Sequence, residues 1–453
     1  MKSQQPSSLV SRPNLVYVFA DQMRASAMGH APLADPVITP HLDHFASQGL
    51  SLTQCRSNFP VCSPYRAMLM SGRYPQANSV VSNINNMPGR DFDLRDDQTC
   101  LTDVLSSSDY HVGYIGKWHL TRPVEPYLTN ANESGPWIWN EWTPPHRRHG
   151  IDQWYGYNTY DRHLKPLYWD NDSPREGFHF VDQWSTEHET DKAIDFLKQR
   201  QQSDSDQPFA LFVSYNPPHP PFDQVPQKYR DLYRDATPQE LLVRENVRLN
   251  SGDSILDQAM NSVANYFAAV SGVDDQFGRL MQAISSLDLA ENTLLVFTAD
   301  HGEMMGSHQR MSKNTWHEES VHVPMIIRLP SQLRAGGQDD LLISTPDIPA
   351  TLLGLLGLQK AIPEGWQGID YASTLRDPTC SKRPQYQAYF DPNGKLTGVF
   401  DQQYTAVISH AEDNTAHLYN RHADPYQCHN LAASDPKRME GYRQWILENQ
   451  MST

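Results

Sequence analysis

Cysteine is scarce in this 453-residue chain, and its five copies, at 55, 62, 100, 380 and 428, do not stand at metal-ligand spacing. A disulfide framework or a cysteine-built metal knot is therefore excluded, since at most two pairs form and one thiol is left over. Long hydrophobic runs are missing too. No segment approaches the roughly 20 apolar residues that span a bilayer, so no membrane span is expected. The amino-terminal "MKSQQPSSLVSRPN" has no apolar core of an export signal, and residues 1–13 read as a tail. As written the chain reads as cytoplasmic; with a signal peptide trimmed it reads as periplasmic or secreted. Positive charge is also in short supply: 37 Lys and Arg against 53 Asp and Glu leave a net charge of −16. That balance argues against nucleic acid as a partner and requires a local basic pocket for any anionic substrate. Internal repeats and low-complexity tracts are lacking, which removes solenoids.

What is present is the composition of a folded protein, with 38% apolar and 20% charged residues. Five short apolar runs end abruptly in polar residues: "NLVYVFADQ", "HVGYIGKWH", "FALFVSYNPPH", "TLLVFTADHG" and "VPMIIRLP". Continuous rather than alternating runs predict strands buried on both faces, hence an α/β fold: a large, mixed, mostly parallel sheet sandwiched by helices. One helix is explicit in "NYFAAVSGVDDQFGRLMQAIS", where Phe267, Val270, Val273, Phe277, Leu280 and Ile284 recur every three or four residues. The segments "YQAYFD", "GVFDQ" and "YTAVIS" predict a smaller antiparallel sheet. The expected organisation is a tail (1–13), a catalytic domain (14–380) and a C-terminal α+β subdomain (381–453).

Ligands of open α/β sheets gather at the carboxyl ends of strands, and Asp21, Lys117, His119, His219, Asp300 and His301 all fall at or just past such ends. Asp21 with Gln22, and Asp300 with His301, offer two carboxylates, an amide oxygen and an imidazole, a donor set for a divalent cation with Ca2+ favoured over Mg2+. An Asp after a strand equally serves as a helix N-cap. Lys117, His119, His219 and Lys313 form a cationic set suited to a tetrahedral oxyanion, though each also reads as a surface charge or a turn residue. Residues 137–184 hold six of the ten tryptophans together with "HRRHG" and "DRHLK". They read either as an irregular insertion with its own aromatic core or as a recognition surface. In the second reading the rings of the stretch, Trp169 among them, stack on sugars while Arg147, Arg148, Arg162, His163 and Lys165 meet anionic groups.

The stretch "PVCSPYRAMLMSGRYP" joins these pieces. Cys62, Pro64, Arg66, Ser71 and Gly72 follow the order C-x-P-x-R then S/T-G, which resembles the signature of type I sulfatases of the alkaline phosphatase superfamily, most like bacterial carbohydrate and polysaccharide sulfatases. Ala67 to Met70 are expected to begin a helix. The likeness extends in family order through "GYIGKWH", "PPHPPF", "FTADHGEMMG", "KNTWHEESVHVPMIIR", "STPDIPATLLGLLGL" and "LYNRHADPYQCHNL". Many members carry Asp-Asp and Asp-Asn where this chain has Asp21-Gln22 and Asp300-His301. That departure is shared with choline sulfatases, phosphonate hydrolases and some polysaccharide sulfatases.

The resemblance implies that a maturation enzyme, either a formylglycine-generating or an anaerobic sulfatase-maturating enzyme, converts Cys62 to formylglycine, whose hydrate is the nucleophile. It implies one Ca2+, with Mg2+ or Mn2+ as alternatives, held by Asp21, Gln22, Asp300, His301 and the modified Cys62. Arg66 would orient the hydrate, Lys117 and Lys313 would clamp the sulfate, His219 would protonate the leaving group and His119 would take the second proton. The implied activity is hydrolysis of a sulfated glycan. Alternatives are a choline-sulfatase-like or phosphonate or phosphate ester hydrolase, and a noncatalytic glycan-binding relative.

Overall fold

The computed structural model describes residues 12–203, 205–250, 252–410 and 415–449; nearly all of the expected tail lies outside them. In chain order the strands are β1 (Asn14–Ala20), β2 (Leu50–Leu52), β3 (Cys55–Arg56), β4 (His111–Lys117), β5 (Gln153–Tyr157), β6 (Leu167–Asp170), β7 (His179–Phe180) and β8 (Phe209–Tyr215). They continue with β9 (Thr293–Ala299), β10 (Met325–Arg328), β11 (Gly337–Asp339), β12 (Ile343–Ser344), β13 (Gln387–Phe390), β14 (Leu396–Phe400), β15 (Tyr404–Ser409) and β16 (Ala416–Asn420). Among the described residues ten of these form one sheet in the order β11-β2-β10-β9-β1-β8-β4-β5-β6-β7.

All five apolar runs are strands, and four of them, β9, β1, β8 and β4, are consecutive parallel neighbours at the centre of the sheet. Their residues are buried almost without exception, which is why the runs are continuous rather than alternating. The fifth, β10, departs from the parallel set and runs antiparallel to both β9 and β2. The explicit helix extends over Ser254–Ser286, with Asp253 accepting the Leu256 N–H at its start, and buries all six of its predicted apolar positions. Residues 137–184 are not a separate insertion: β5 continues the main sheet parallel to β4, and β6 and β7 add antiparallel strands at that edge.

The C-terminal sheet is an antiparallel meander, β13-β14-β15-β16, covered by a helix over Pro436–Glu448 through Val399, Leu418, Met439, Tyr442 and Ile446. It meets the catalytic part where Ala388 and Phe390 pack on Phe59, Val61 and Met68, and where Phe390 donates its N–H to the Asn58 carbonyl at 2.8 Å. The five cysteines are all free thiols.

Candidate active site

Cys62 opens the helix Cys62–Ser71, which thus begins five residues before the apolar run that was expected to start it. The first turn of a helix has no partners for its N–H groups, so Pro64 is tolerated there. Arg66 follows Cys62 by one turn and therefore shares its face. Gly72 ends the helix in the left-handed region (φ 61°), and a Cβ there would sit 2.3 Å from the Trp366 ring, so glycine is required on two counts. Arg66 and Gly72 thus have structural tasks in addition to their places in the signature.

The parallel order β9-β1-β8-β4 sets the carboxyl ends of these strands side by side, which brings together Asp300, Asp21, Asn216 and Lys117 from four distant parts of the chain. The two carboxylates are divided by function. Asp21 Oδ2 accepts from Lys117 Nζ (2.7 Å) and Arg66 Nη2 (3.1 Å), and Asp300 Oδ2 accepts from the same Nη2 (3.2 Å). Their Oδ1 atoms face the other way. Both lie 3.6 Å from His301 Nε2, and Cys62 Sγ lies 3.6 Å from Asp21 Oδ1 and 3.3 Å from His301 Nε2. His301 Nδ1 faces the Gly302 carbonyl at 3.2 Å, which assigns it the proton and leaves the Nε2 lone pair turned to the cluster.

This buried set fits a divalent cation. The ligand atoms of Asp21, Cys62, Asp300 and His301 all lie within 4.8 Å of one another, and carboxylate oxygens with a neutral imidazole suit such an ion. The electrostatics agree. Burial and the neighbouring Asp21 charge push the Asp300 carboxyl up, against Arg66 and Lys117, a surplus of negative charge that a cation would relieve. Burial also opposes ionisation of Asp21, but Lys117, with Arg66, holds it well below the usual carboxylate range. Burial and Lys313 keep His301 neutral. Gln22, the fifth expected ligand, adopts φ 69° and gives its main-chain N–H to Asp300 Oδ1. Its amide oxygen accepts from Lys313 and its amide nitrogen donates to Glu303, so the side chain bridges those two residues.

The Cys62 thiol itself is poorly suited to attack. Burial, then Asp21, raise its pKa to about 12 against the pull of Lys313 and Lys117, so at neutral pH it is not a thiolate. Around it the cationic set is in place. Lys117 Nζ is held between Asp21 and Asn216 Oδ1 (3.0 Å). His119, at φ 54°, directs Nε2 to the Ile84 carbonyl (3.2 Å) and leaves Nδ1 buried without a partner among the described residues, while burial and Lys117 keep the ring neutral. His219 Nδ1 faces the Pro220 carbonyl at 2.8 Å and Asp161 Oδ1 at 3.4 Å, leaving Nε2 for the cleft.

A cavity of about 410 Å3 opens over Cys62, lined by Lys117, His119, His219, Asn83, Glu133, Trp137, Trp139, Tyr160 and Asp161 among others. The residues expected to bind the glycan are distributed unevenly around it. Arg147 is tied to Asp93, Asp96 and the Leu94 carbonyl. Arg148 is buried against Trp154 and donates to the Thr143 and Asn171 carbonyls. Trp169 is 1% exposed, its indole N–H bound to the Arg175 carbonyl. These three are corrected from recognition to framework, because each is consumed by internal partners. His163 supports the site from behind, its Nε2 meeting the His219 carbonyl at 2.8 Å. Arg162 reaches Glu133 at 3.4 Å, while Lys165 is exposed beside Asp182.

Sequence reasoning passed over Asn216, Glu303, Asp161 and Glu133 as site residues, and it grouped Trp137 and Trp139 with the other rings of their stretch without singling them out. Asn216 stands directly after β8 and Glu303 two residues after His301, positions that share the strand-end signal. Asp161 lies inside a segment read for its positive charges. A second cavity, about 340 Å3, adjoins Arg24, Arg56, Arg244 and Arg421 and holds none of the predicted residues; Asp35, Glu318 and Glu319 pair with those arginines.

Comparison with known proteins gives the site a lineage. The sulfatase family model matches residues 13–358, and the model for the C-terminal part of N-sulphoglucosamine sulphohydrolase matches residues 306–449. An endo-4-O-sulfatase of Bacteroides thetaiotaomicron is 35% identical over 96% of this chain and 91% of its own length. An ulvan-active sulfatase of Formosa agariphila is 30% identical over 93% and 77%. Among solved structures, one from work on glycosaminoglycan metabolism by Bacteroides thetaiotaomicron superposes with a TM-score of 0.87 at 34% identity, covering 95% of this chain and 94% of that one. A match over most of the chain, with the Cys62 motif seated against Asp21, Asp300 and His301, places this protein in the sulfatase family, as a sulfuric ester hydrolase.

Proposed function

We propose that this enzyme removes sulfate esters from a sulfated carbohydrate, after conversion of Cys62 to formylglycine by a maturation enzyme. The observation that carries it is the convergence of Cys62 Sγ, His301 Nε2 and the Oδ1 atoms of Asp21 and Asp300 at the floor of a cavity of sugar-ring size. The two relatives named above as endo-4-O- and ulvan-active sulfatases support the substrate class.

Formylglycine at position 62 supplies a geminal diol in place of a weak thiol, and a divalent cation, Ca2+ in our reading with Mg2+ or Mn2+ as alternatives, supplies neutralising charge. Asp21, Asp300 and His301 would hold that ion. Gln22 would contribute through its bridge to Lys313 and, by the second lone pair of its amide oxygen, as a further ligand. Arg66 fixes the two carboxylates through one nitrogen and so determines which oxygens turn toward position 62. Lys117 keeps an N–H beyond its bonds to Asp21 and Asn216 for a sulfate oxygen, and Lys313 approaches from the Gln22 side. A sugar alkoxide is a poor leaving group. His219, with Nδ1 held by Pro220 and Asp161, presents Nε2 to protonate it. His119 Nδ1 is a free acceptor in a neutral ring, suited to receive a proton when sulfate departs.

Mass spectrometry of the peptide containing Cys62, from protein made in its native host, should show the aldehyde in place of the thiol. The same protein should release sulfate from members of a panel of sulfated oligosaccharides. An unmodified thiol in protein that still turns over, or hydrolysis confined to phosphate or choline esters, would overturn the assignment.

A further inference from the structure

Around its cationic floor the cleft is walled by carboxylates and indoles rather than by the basic residues that a polyanion would need. Asp161 Oδ1 accepts Asn216 Nδ2 at 3.0 Å and faces His219 Nδ1, while no donor among the described residues reaches Oδ2 and the side chain is 35% exposed. Glu133 Oε1 faces Arg162 Nε, and Oε2 has no donor among the described residues, on a side chain 42% exposed. Trp137 and Trp139 supply half-buried aromatic faces beside them. The cleft therefore offers lone pairs and ring faces to whatever carries the sulfate. Among the described residues Lys117 is the one Lys or Arg in that lining, and Asp21 and Asn216 already hold it.

We propose that the ring bearing the scissile sulfate is a neutral hexose or a hexosamine, whose hydroxyl or amine hydrogens are donated to Asp161 Oδ2 and Glu133, and that sulfated hexuronates are excluded. This rests on the carbohydrate substrate proposed above. A ring carboxylate would be brought next to two carboxylates in a partly desolvated pocket whose one lysine, among the described residues, is turned to the sulfate, whereas ring hydroxyls find charged acceptors, the stronger kind of hydrogen bond. The faces of hexoses, rich in C–H, stack on the indoles.

The test uses the matured enzyme on three glycans: a sulfated galactan, chondroitin sulfate oligosaccharides, and oligosaccharides sulfated at O2 of the uronate, with NMR to locate the ring that loses sulfate. Loss confined to hexose or hexosamine rings is expected. Loss from a uronate overturns the specificity and leaves the carbohydrate substrate standing. Turnover of 4-methylumbelliferyl sulfate with no loss from any glycan overturns both. Glu133→Gln should raise KM for the preferred oligosaccharide by about fivefold to tenfold with kcat within about twofold, and lower the ratio of glycan to aryl kcat/KM by a similar factor. An unchanged KM would overturn the role of Glu133.

Discussion

The surroundings of Cys62 were picked out by motif and strand ends and the stretch 137–184 by composition, and the structure treats them in opposite ways. Around Cys62, residues separated by nearly 300 positions converge within hydrogen-bond distance: Arg66 touches Asp21 and Asp300, and Lys117 touches Asp21 and Asn216. In 137–184 the aromatic and basic residues mostly turn inward. Trp154, Trp169 and Trp184 are buried, and Arg148 is stacked on Trp154, while Trp137 and Trp139 line the cleft. A buried charge needs a specific partner, so clustering of charges at strand ends is informative. An aromatic side chain serves a core as readily as a sugar, so its abundance alone does not distinguish them.

The strongest way to break this contrast is Cys62→Ala. Sulfate release should fall by about a thousandfold or more while circular dichroism and thermal unfolding stay close to wild type; a stably folded variant with substantial turnover would dissociate the motif from the chemistry. His219→Ala should cost roughly a hundredfold or more on sugar sulfates and far less on activated aryl sulfates, because a good leaving group needs little protonation. Equal losses on both would remove His219 as the acid. Extraction of metal with a chelator should lower both activity and melting temperature, since an ion bound only by the folded state stabilises it by mass action; Ca2+ should restore both, and recovery with Mg2+ or Mn2+ alone would change the metal assignment.

Within 137–184 the contrast sharpens between two tryptophans. Trp169→Ala should destabilise the fold by about 3–5 kcal/mol with kcat/KM of the folded fraction near wild type. Trp137→Ala should leave stability within about 1 kcal/mol, as expected for a partly exposed residue, and raise KM for the glycan. The reverse pattern, measured by denaturant titration and steady-state kinetics, would return Trp169 to the substrate.

Much of the site was legible because its chemistry is written locally. The Cys62 motif is linear, and Asp21, Lys117, Asp300 and His301 each follow an apolar run whose continuity marks a buried strand. Partners were harder to see. Nothing near Gln22 says that its amide will bridge Lys313 and Glu303, and nothing near Asp161 says that it will sit under His219, because such pairings depend on which strands become neighbours. The long helix and the small antiparallel sheet followed from periodicity. The reversed direction of β10 did not, since a fully buried strand has the same composition in either orientation.

The sequence by itself determined the motif around Cys62, the α/β class and the strand ends that hold the cluster, because these depend on side-chain chemistry and on runs of a few residues. Only the tertiary structure decided that Arg147, Arg148 and Trp169 belong to the framework, that both Oδ1 atoms turn toward Cys62, and that Glu133 and Asp161 line the cleft above it. The physical reason is that a side chain's free lone pairs and exposed faces are what its neighbours leave unused, and those neighbours come from strands that lie side by side in the sheet yet far apart in the chain.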